Sequence, residues 1–239
     1  VAPTRIAPWH ELNATKIRAY RAAVEAEGLK VSSLQAIYFD MPQAKLLADN
    51  ASFMLMSEHT KRVAEVGATL GAEIMVYGAP STRKLGDQRA DAVRTLASER
   101  FAVLGDIVRS WGIRIGIEPV PKTYGNDFLT SASEVLEFVR ELSHPFVRLH
   151  LDTGCALLGG DTIEDSILEG SQFLDHFHAA EPHLGAFSRP EAHHKSASKA
   201  LSQCGYDRWI VIEMREQIHD PIGALSTAVE YAISTYAIC

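Results

Sequence analysis

VRLHLDTG, residues 147–154, decides the fold: Val147, Leu149 and Leu151 alternate with Arg148, His150 and Asp152, and the run closes on an acid followed by Thr-Gly. IRIGIEP, residues 113–119, repeats the pattern, with Ile113, Ile115 and Ile117 set against Arg114, Gly116 and Glu118. Successive strand residues point to opposite faces, so each run presents one apolar face and one polar face. An open doubly wound sheet is covered by helices on both sides and reads apolar throughout. A polar parity ending in a carboxylate fits the lumen of a parallel barrel, where the C-terminal strand ends carry the chemistry.

Working outward, further strand candidates are 32–39, 73–79, 174–180 and 209–214, beside 113–119 and 147–153; each is short, rich in branched or aromatic residues and followed by turn residues. Helix-period segments lie between them. In 87–111 the apolar positions Val93, Ala97, Phe101, Leu104, Val108 and Trp111 step by three or four, a stripe that faces a sheet. Ser131 and Glu134 form a capping box before Val135, Phe138, Val139 and Leu142, and similar stripes run through Ile17, Tyr20, Val24 and through Val63, Val66, Leu70. Strands alternating with helices require right-handed crossovers and a parallel sheet. The expected fold class is therefore α/β, a TIM (β/α)8-type barrel, forming one domain over residues 1–239. Six clear strands, with the opening VAP as the tail of another, make seven repeats where a closed barrel needs eight. The expectation is a barrel lacking its first strand–helix unit in this chain, or an open barrel built from the same segments.

Composition narrows the function classes. The 239 residues carry a net charge of −7 and contain no Lys/Arg-rich run, so the electrostatic footprint of a nucleic-acid binder is missing. No stretch is long and apolar enough to span a bilayer, and no charged-then-apolar leader opens the chain. Cys155, Cys204 and Cys239 are odd in number and have no paired spacing, which argues for free thiols and a cytoplasmic, reducing compartment.

Four runs end in metal-capable residues. Glu118 closes IRIGIEP, Asp152 closes VRLHLDTG, His178 closes DHFHAAE and Glu213 closes WIVIEMR, at spacings of 34, 26 and 35 residues that match strand–helix repeats. In a barrel all four converge on one rim. Two Glu, one Asp and one His make an oxygen-rich donor set suited to one divalent ion, Mn2+, Mg2+ or Co2+, with Zn2+ also admissible, rather than to a sulfur-ligated structural zinc. Such an ion has coordination positions left for adjacent oxygens of a polyhydroxy carbonyl compound, whose carbonyl it polarises and whose enediolate it stabilises. Proton abstraction beside that carbonyl needs a carboxylate, and return of the proton needs an acid. Glu118 and Glu213, on opposite sides of the ion, are the candidates for the two roles.

The ordered set Glu118, Asp152, His178 and Glu213, with IEPVPKTYGNDFLT, LHLDTG and IEMR around it, resembles the xylose isomerase-like TIM barrel superfamily, and within it the sugar phosphate isomerase/epimerase group. The resemblance implies a divalent metal held by these four residues, with both glutamates serving as ligands and proton carriers. It implies a metal-dependent sugar isomerase or epimerase acting on a small-molecule carbohydrate. Two departures bear on the substrate: Cys155 stands where the ketose 3-epimerases have a His, and Leu184 where they have an Arg. A thiol and a Leu do not orient hydroxyls as imidazole and guanidinium do. The candidates for that task are Tyr124 and Asn126 in the loop after Glu118, Glu181 and His183 in HAAEPHL, and Arg215. Asp127 shares that loop or serves the turn into the next helix; Arg83 and Lys84 offer a phosphate or carboxylate contact, or a solvated loop. Arg114, Arg148 and His150 are expected to fill the lumen with a buried polar network.

Two other readings use the same residues. An inosose-type dehydratase keeps the metal site and expels a β-hydroxyl, and a noncatalytic sugar-binding barrel keeps only the cavity. An abasic-site endonuclease needs further histidines in the second and third strand regions, where this chain offers Gln35 and no such set. A homodimer is expected, with Trp9, Trp209 or the tail YAISTYAIC at the contact.

Overall fold

Strands and helices alternate along the chain in a computed structural model that describes residues 1–86 and 88–237. They form two compact units. One comprises Val1–Ile117, Gly125–Phe128 and Phe138–Arg148, and the other Glu118–Tyr124, Leu129–Glu137 and the chain from Leu149 onward. Cys239, the last residue of the expected dimer-contact tail, lies outside the described residues.

In the first unit α1 (Ala14–Ala26) precedes β1 (Ser33–Leu34), α2 (Asn50–Leu70) leads to β2 (Ile74–Tyr77), and α3 (Ala90–Arg109) leads to β3 (Arg114–Ile117). The three strands are parallel and adjacent in chain order, with Leu34 opposite Met75 and Val76 opposite Gly116. Local sequence sets the helix ends: Asp49 Oδ1 accepts from Ser52 N at 2.9 Å at the start of α2, and Gly71, at φ +83°, ends it. The expected stripe of α3 is buried at Val93, Ala97, Phe101, Leu104 and Val108. Trp111 departs from it. It lies past Arg109, the last helical residue, and is 37% exposed, in a turn made by Gly112 at φ +67°.

The first expected strand, 32–39, is cut to two residues. Ala36 takes φ +52° and Asp40 φ +60°, a left-handed backbone that cannot continue a pleat, so Ile37 and Tyr38 reach the core from a turn. Val1 N donates to Ser33 O at 2.8 Å and Val1 O accepts from Gln35 N at 3.0 Å, the bond pair that a parallel neighbour makes with β1. The VAP opening thus behaves as a strand tail, although only six strands are assigned among the described residues. An edge-to-face ladder of Tyr38, Tyr77, Phe101 and Phe138, with centroids 5.3–5.4 Å apart, fills the core of this unit. Arg83, open to a solvated-loop reading, is instead fully buried, its guanidinium 5.5 Å from the centre of the Tyr77 ring. Trp9 is likewise buried, donating to Phe39 O at 2.8 Å and packing on His59, so it offers no subunit contact.

The capping box at Ser131 forms with a shift. Ser131 Oγ accepts from Glu134 N at 3.3 Å at the start of α4 (Ala132–Leu142), while the Glu134 carboxylate reaches back one residue further, to Thr130 N at 2.6 Å. β4 (Val147–Asp152) follows, and the second unit continues through α5 (Thr153–Gly159), α6 (Ile163–Gly170), β5 (Leu174–Ala180), α7 (His194–Gln203), β6 (Ile210–Glu213) and α8 (Pro221–Tyr236). β4, β5 and β6 are parallel and adjacent in chain order, with Asp152 opposite His178 and Ala180 opposite Glu213. Every residue of β5 is buried. The parity read from the sequence holds there: His150 and Asp152 on β4 and His176 and His178 on β5 alternate with buried Leu149, Leu151, Phe177 and Ala179. No helix among the described residues is long and apolar enough to cross a membrane.

Candidate metal centre

The second unit gathers Glu118, Asp152, His178 and Glu213, so that one ligand atom from each lies within 4.8 Å of the other three. Three of them end or nearly end strands. Asp152 is the last residue of β4 and also the N-cap of α5, its Oδ1 accepting from Cys155 N at 2.7 Å. That cap turns Oδ2 inward, where it is buried and has no hydrogen-bond partner among the described residues. His178 Nδ1, equally buried and unbonded, stands 3.3 Å from Glu213 Oε2 and 3.8 Å from Asp152 Oδ2. Glu118 follows β3 in the chain, and the Cys155 thiol donates to its Oε1 at 3.7 Å.

Burial, followed by the charge of Glu213, pushes the Asp152 carboxyl up from 3.8 to about 6, against a smaller opposing effect of His178. Carboxylates crowded in a buried site repel one another, and a cation among them removes that penalty. The orphaned Oδ2 and Nδ1, the converging donors and the oxygen-rich chemistry all fit a divalent ion. Between about pH 4 and pH 6 folded Asp152 keeps its proton while the unfolded chain has lost it, so its contribution to metal-free stability falls as pH rises through that window. Unfolding of wild type and Asp152→Asn across pH 4–8 without metal will show their stability difference shifting against the wild type up to about pH 6, then levelling. Mn2+ affinity has the opposite slope and weakens as pH drops below about 6, measurable by calorimetric titration.

Gly154, in the DTG turn, is needed for space. A Cβ there would sit 2.6 Å from Glu181 O and 2.8 Å from Glu181 C, both backbone atoms. Gly154→Ala is expected to cost about 1–3 kcal/mol of stability, read by urea denaturation, because neither segment can yield without moving the strand ends.

The substrate-side candidates divide. Tyr124 Oη accepts from His183 N at 2.9 Å and the two rings meet edge to face at 5.9 Å. Burial, then the neighbouring Cys155, raises the Tyr124 hydroxyl, with Asp152 and Glu118 adding to the effect. His183 and the next residue, Leu184, both take left-handed backbone, at φ +59° and +58°, a strained pair held by bonds on either side: Tyr124 at one end and, at 2.9 Å, Arg215 N on Leu184 O at the other. The Arg215 side chain is exposed.

Glu181 is placed in a separate cluster. Its buried carboxylate accepts from Glu191 N at 2.7 Å and Ala192 N at 3.1 Å and lies 2.6 Å from His194 Nε2, whose Nδ1 is 2.7 Å from Tyr236 Oη. His194 and Tyr236 carried no sign in the sequence, since the contacts join residues 13 and 42 apart. Asn126 and Asp127 belong to the first unit: Asn126, buried, donates to Phe128 O at 2.9 Å, and Asp127 Oδ1 accepts from Leu85 N at 2.8 Å, holding a loop rather than opening a helix. Lys84 is exposed. The lumen network expected of Arg114, Arg148 and His150 takes another form. Arg114, half-buried, pairs with Glu73 at 3.7 Å in the first unit, whereas His150 packs against His176 and His178.

Residues 2–234 match the family model of the xylose isomerase-like TIM barrel. A ketose 3-epimerase of Arthrobacter globiformis is 28% identical over 158 residues, 65% of this chain and 54% of that protein. An L-ribulose 3-epimerase of Methylomonas sp. (strain DH-1) is 30% identical over 146 residues, 61% of this chain and 48% of that protein. The aligned stretches thus span about half the length of these relatives. Among solved structures, D-psicose 3-epimerase in the presence of D-fructose superposes with a TM-score of 0.81 at 17% identity, covering 99% of this chain and 88% of that one. The apo 3-keto-D-glucoside 4-epimerase of E. coli gives 0.80 at 17% identity, covering 92% and 85%. At these identities the structural likeness establishes the fold.

Proposed function

The chain belongs to the xylose isomerase-like TIM barrel family, and from that premise we propose that it is a divalent-metal-dependent sugar isomerase or epimerase, moving a proton next to a carbonyl of a sugar or sugar-like polyol through an enediolate. The observation that carries the reading is the convergence of Glu118, Asp152, His178 and Glu213 within 4.8 Å. The names of the relatives, 3-epimerases of ketoses, support the same class of reaction. A divalent ion on these four residues, Mn2+, Mg2+ or Co2+ by the hardness of the donors, supplies Lewis-acid polarisation of the substrate carbonyl.

The chain's own residues do the rest. Asp152, pinned by its cap to Cys155 N, and His178, fixed on a fully buried strand, set the position of the centre. Glu213 and Glu118 are the proton carriers: one, ionised, takes a proton from the carbon beside the carbonyl, and the other, protonated, delivers its own, which gives epimerisation when delivery is to the opposite face, and exchange with solvent resets both. The Cys155 thiol, 3.7 Å from Glu118 Oε1, steadies that carboxylate. Tyr124, His183 and Arg215 meet substrate hydroxyls, while Glu181 and Asn126 act by holding their own segments in place. The enzyme works in the cytoplasm, with Cys155 and Cys204 outside any disulfide. It unfolds as one domain, and it pairs through Trp209 or the tail from Tyr231 onward, where Trp209 and Ile233 are exposed.

The test is a screen of ketoses, aldoses and inososes with Mn2+ in deuterated water. A product of unchanged formula carrying one deuterium beside the carbonyl is expected. Loss of water from the product points to a dehydratase, and saturable binding without exchange to a noncatalytic barrel; either result overturns the proposal.

A further inference from the structure

The second unit holds a second cluster of donors, of which the isomerase chemistry uses only His178. His150 on β4 and His176 and His178 on β5 have ring centroids 4.2–5.3 Å apart, and one nitrogen from each lies within 4.8 Å of the other two. All three are at most 1% exposed. His150 is opposite His176 in the strand register, so the ladder itself holds these two rings side by side. Nε2 of His176 has no hydrogen-bond partner among the described residues, and His150, beside the His176 backbone, has no side-chain partner for either nitrogen. Buried polar atoms in folded proteins are almost always satisfied, and imidazoles left this way in one spot call for a reason. Packing alone does not supply it, because barrel interiors are filled with Val, Ile and Leu at no such cost.

Neutral imidazoles buried without partners are the form in which histidine binds a metal. A set of nitrogen donors differs in kind from the neighbouring oxygen-rich set: it suits a borderline ion, and three imidazoles with an open fourth position are an established zinc arrangement. We propose that His150, His176 and His178 form a second metal site, selective for a nitrogen-preferring ion such as Zn2+ and sharing His178 with the carboxylate centre. Electrostatics permits two ions. To hold both ions His178 must release its remaining N–H proton to solvent and bridge them as imidazolate, so three carboxylates and one imidazolate set four negative charges against the four positive ones. Glu118 Oε1, 3.9 Å from His150 Nε2, joins the two donor sets.

The experiment uses the full chain stripped of metal, then loaded with Zn2+ and counted after dialysis, with Co2+ loading followed by visible absorption. Wild type is expected to hold two Zn2+ per chain and to show the intense Co2+ bands of a low-coordinate nitrogen site. His150→Asn and His176→Asn should each drop to one ion and lose those bands, while the Asp152→Asn/Glu213→Gln double variant keeps them. X-ray absorption on Zn2+-loaded wild type reads the site without any variant, with about two imidazoles per Zn2+ averaged over both ions, against one for the carboxylate centre alone. One ion per chain, retained in the His150 and His176 variants and lost from the double variant, overturns the second site and leaves the carboxylate centre standing. No ion in any form overturns both.

Discussion

Glu213→Gln will fold like the wild type and lose turnover by about a thousandfold or more on any sugar the wild type converts. Gln matches Glu in shape, and the side chain is 22% exposed at the end of β6, so neither packing nor the strand pairing of Ala180 with Glu213 is disturbed. What disappears is charge. The variant loses a proton carrier, worth about a hundred- to ten-thousandfold on its own, and weakens the hold on the ion that polarises the carbonyl. Removal of the negative charge that raises Asp152 also brings that carboxyl back toward its ordinary range, so the metal-free variant will be no less stable than the metal-free wild type. Steady-state kinetics beside circular-dichroism melting checks both halves. A variant within tenfold of wild-type kcat would remove Glu213 from the chemistry.

Chelation should have an effect of similar size with no change in sequence. Dialysis against EDTA will bring turnover to background, and Mn2+ will restore it, because the four residues cannot stabilise a developing enediolate by themselves. Stability will follow. An ion at about a hundred times its Kd contributes about 2.7 kcal/mol, which for a chain of this size raises Tm by about 5–10 °C. Calorimetry with and without Mn2+ measures the shift, and repeating it on Asp152→Asn separates binding at the centre from non-specific effects: the variant should show little or no rise.

Much of the centre was legible in the sequence because strand–helix repeats impose a geometry. Glu118, Asp152, His178 and Glu213 lie at or within two residues of strand ends in the structure, close to where the apolar runs put them, and the ends of parallel strands share a rim. The inward parity of His150 and Asp152 was legible for the same reason, since alternation in a strand is a fixed property of the pleat. What could not be read depends on contacts distant in sequence or on single backbone angles. Nothing in VSSLQAIYF announces that Ala36 adopts φ +52° and ends β1 after two residues. Glu181 reads as a free carboxylate near His178, yet the fold brings His194 and two backbone N–H groups onto it. Arg83 reads as a loop cation, and its place against Tyr77 follows from tertiary packing alone.

The most direct test of the central claim is anomalous diffraction from crystals of the chain grown with Mn2+. One strong peak is expected, about 2.0–2.3 Å from a carboxylate oxygen of each of Glu118, Asp152 and Glu213 and from a nitrogen of His178. No peak there, with the three carboxylates instead bonded to neighbouring cationic side chains, would contradict the account.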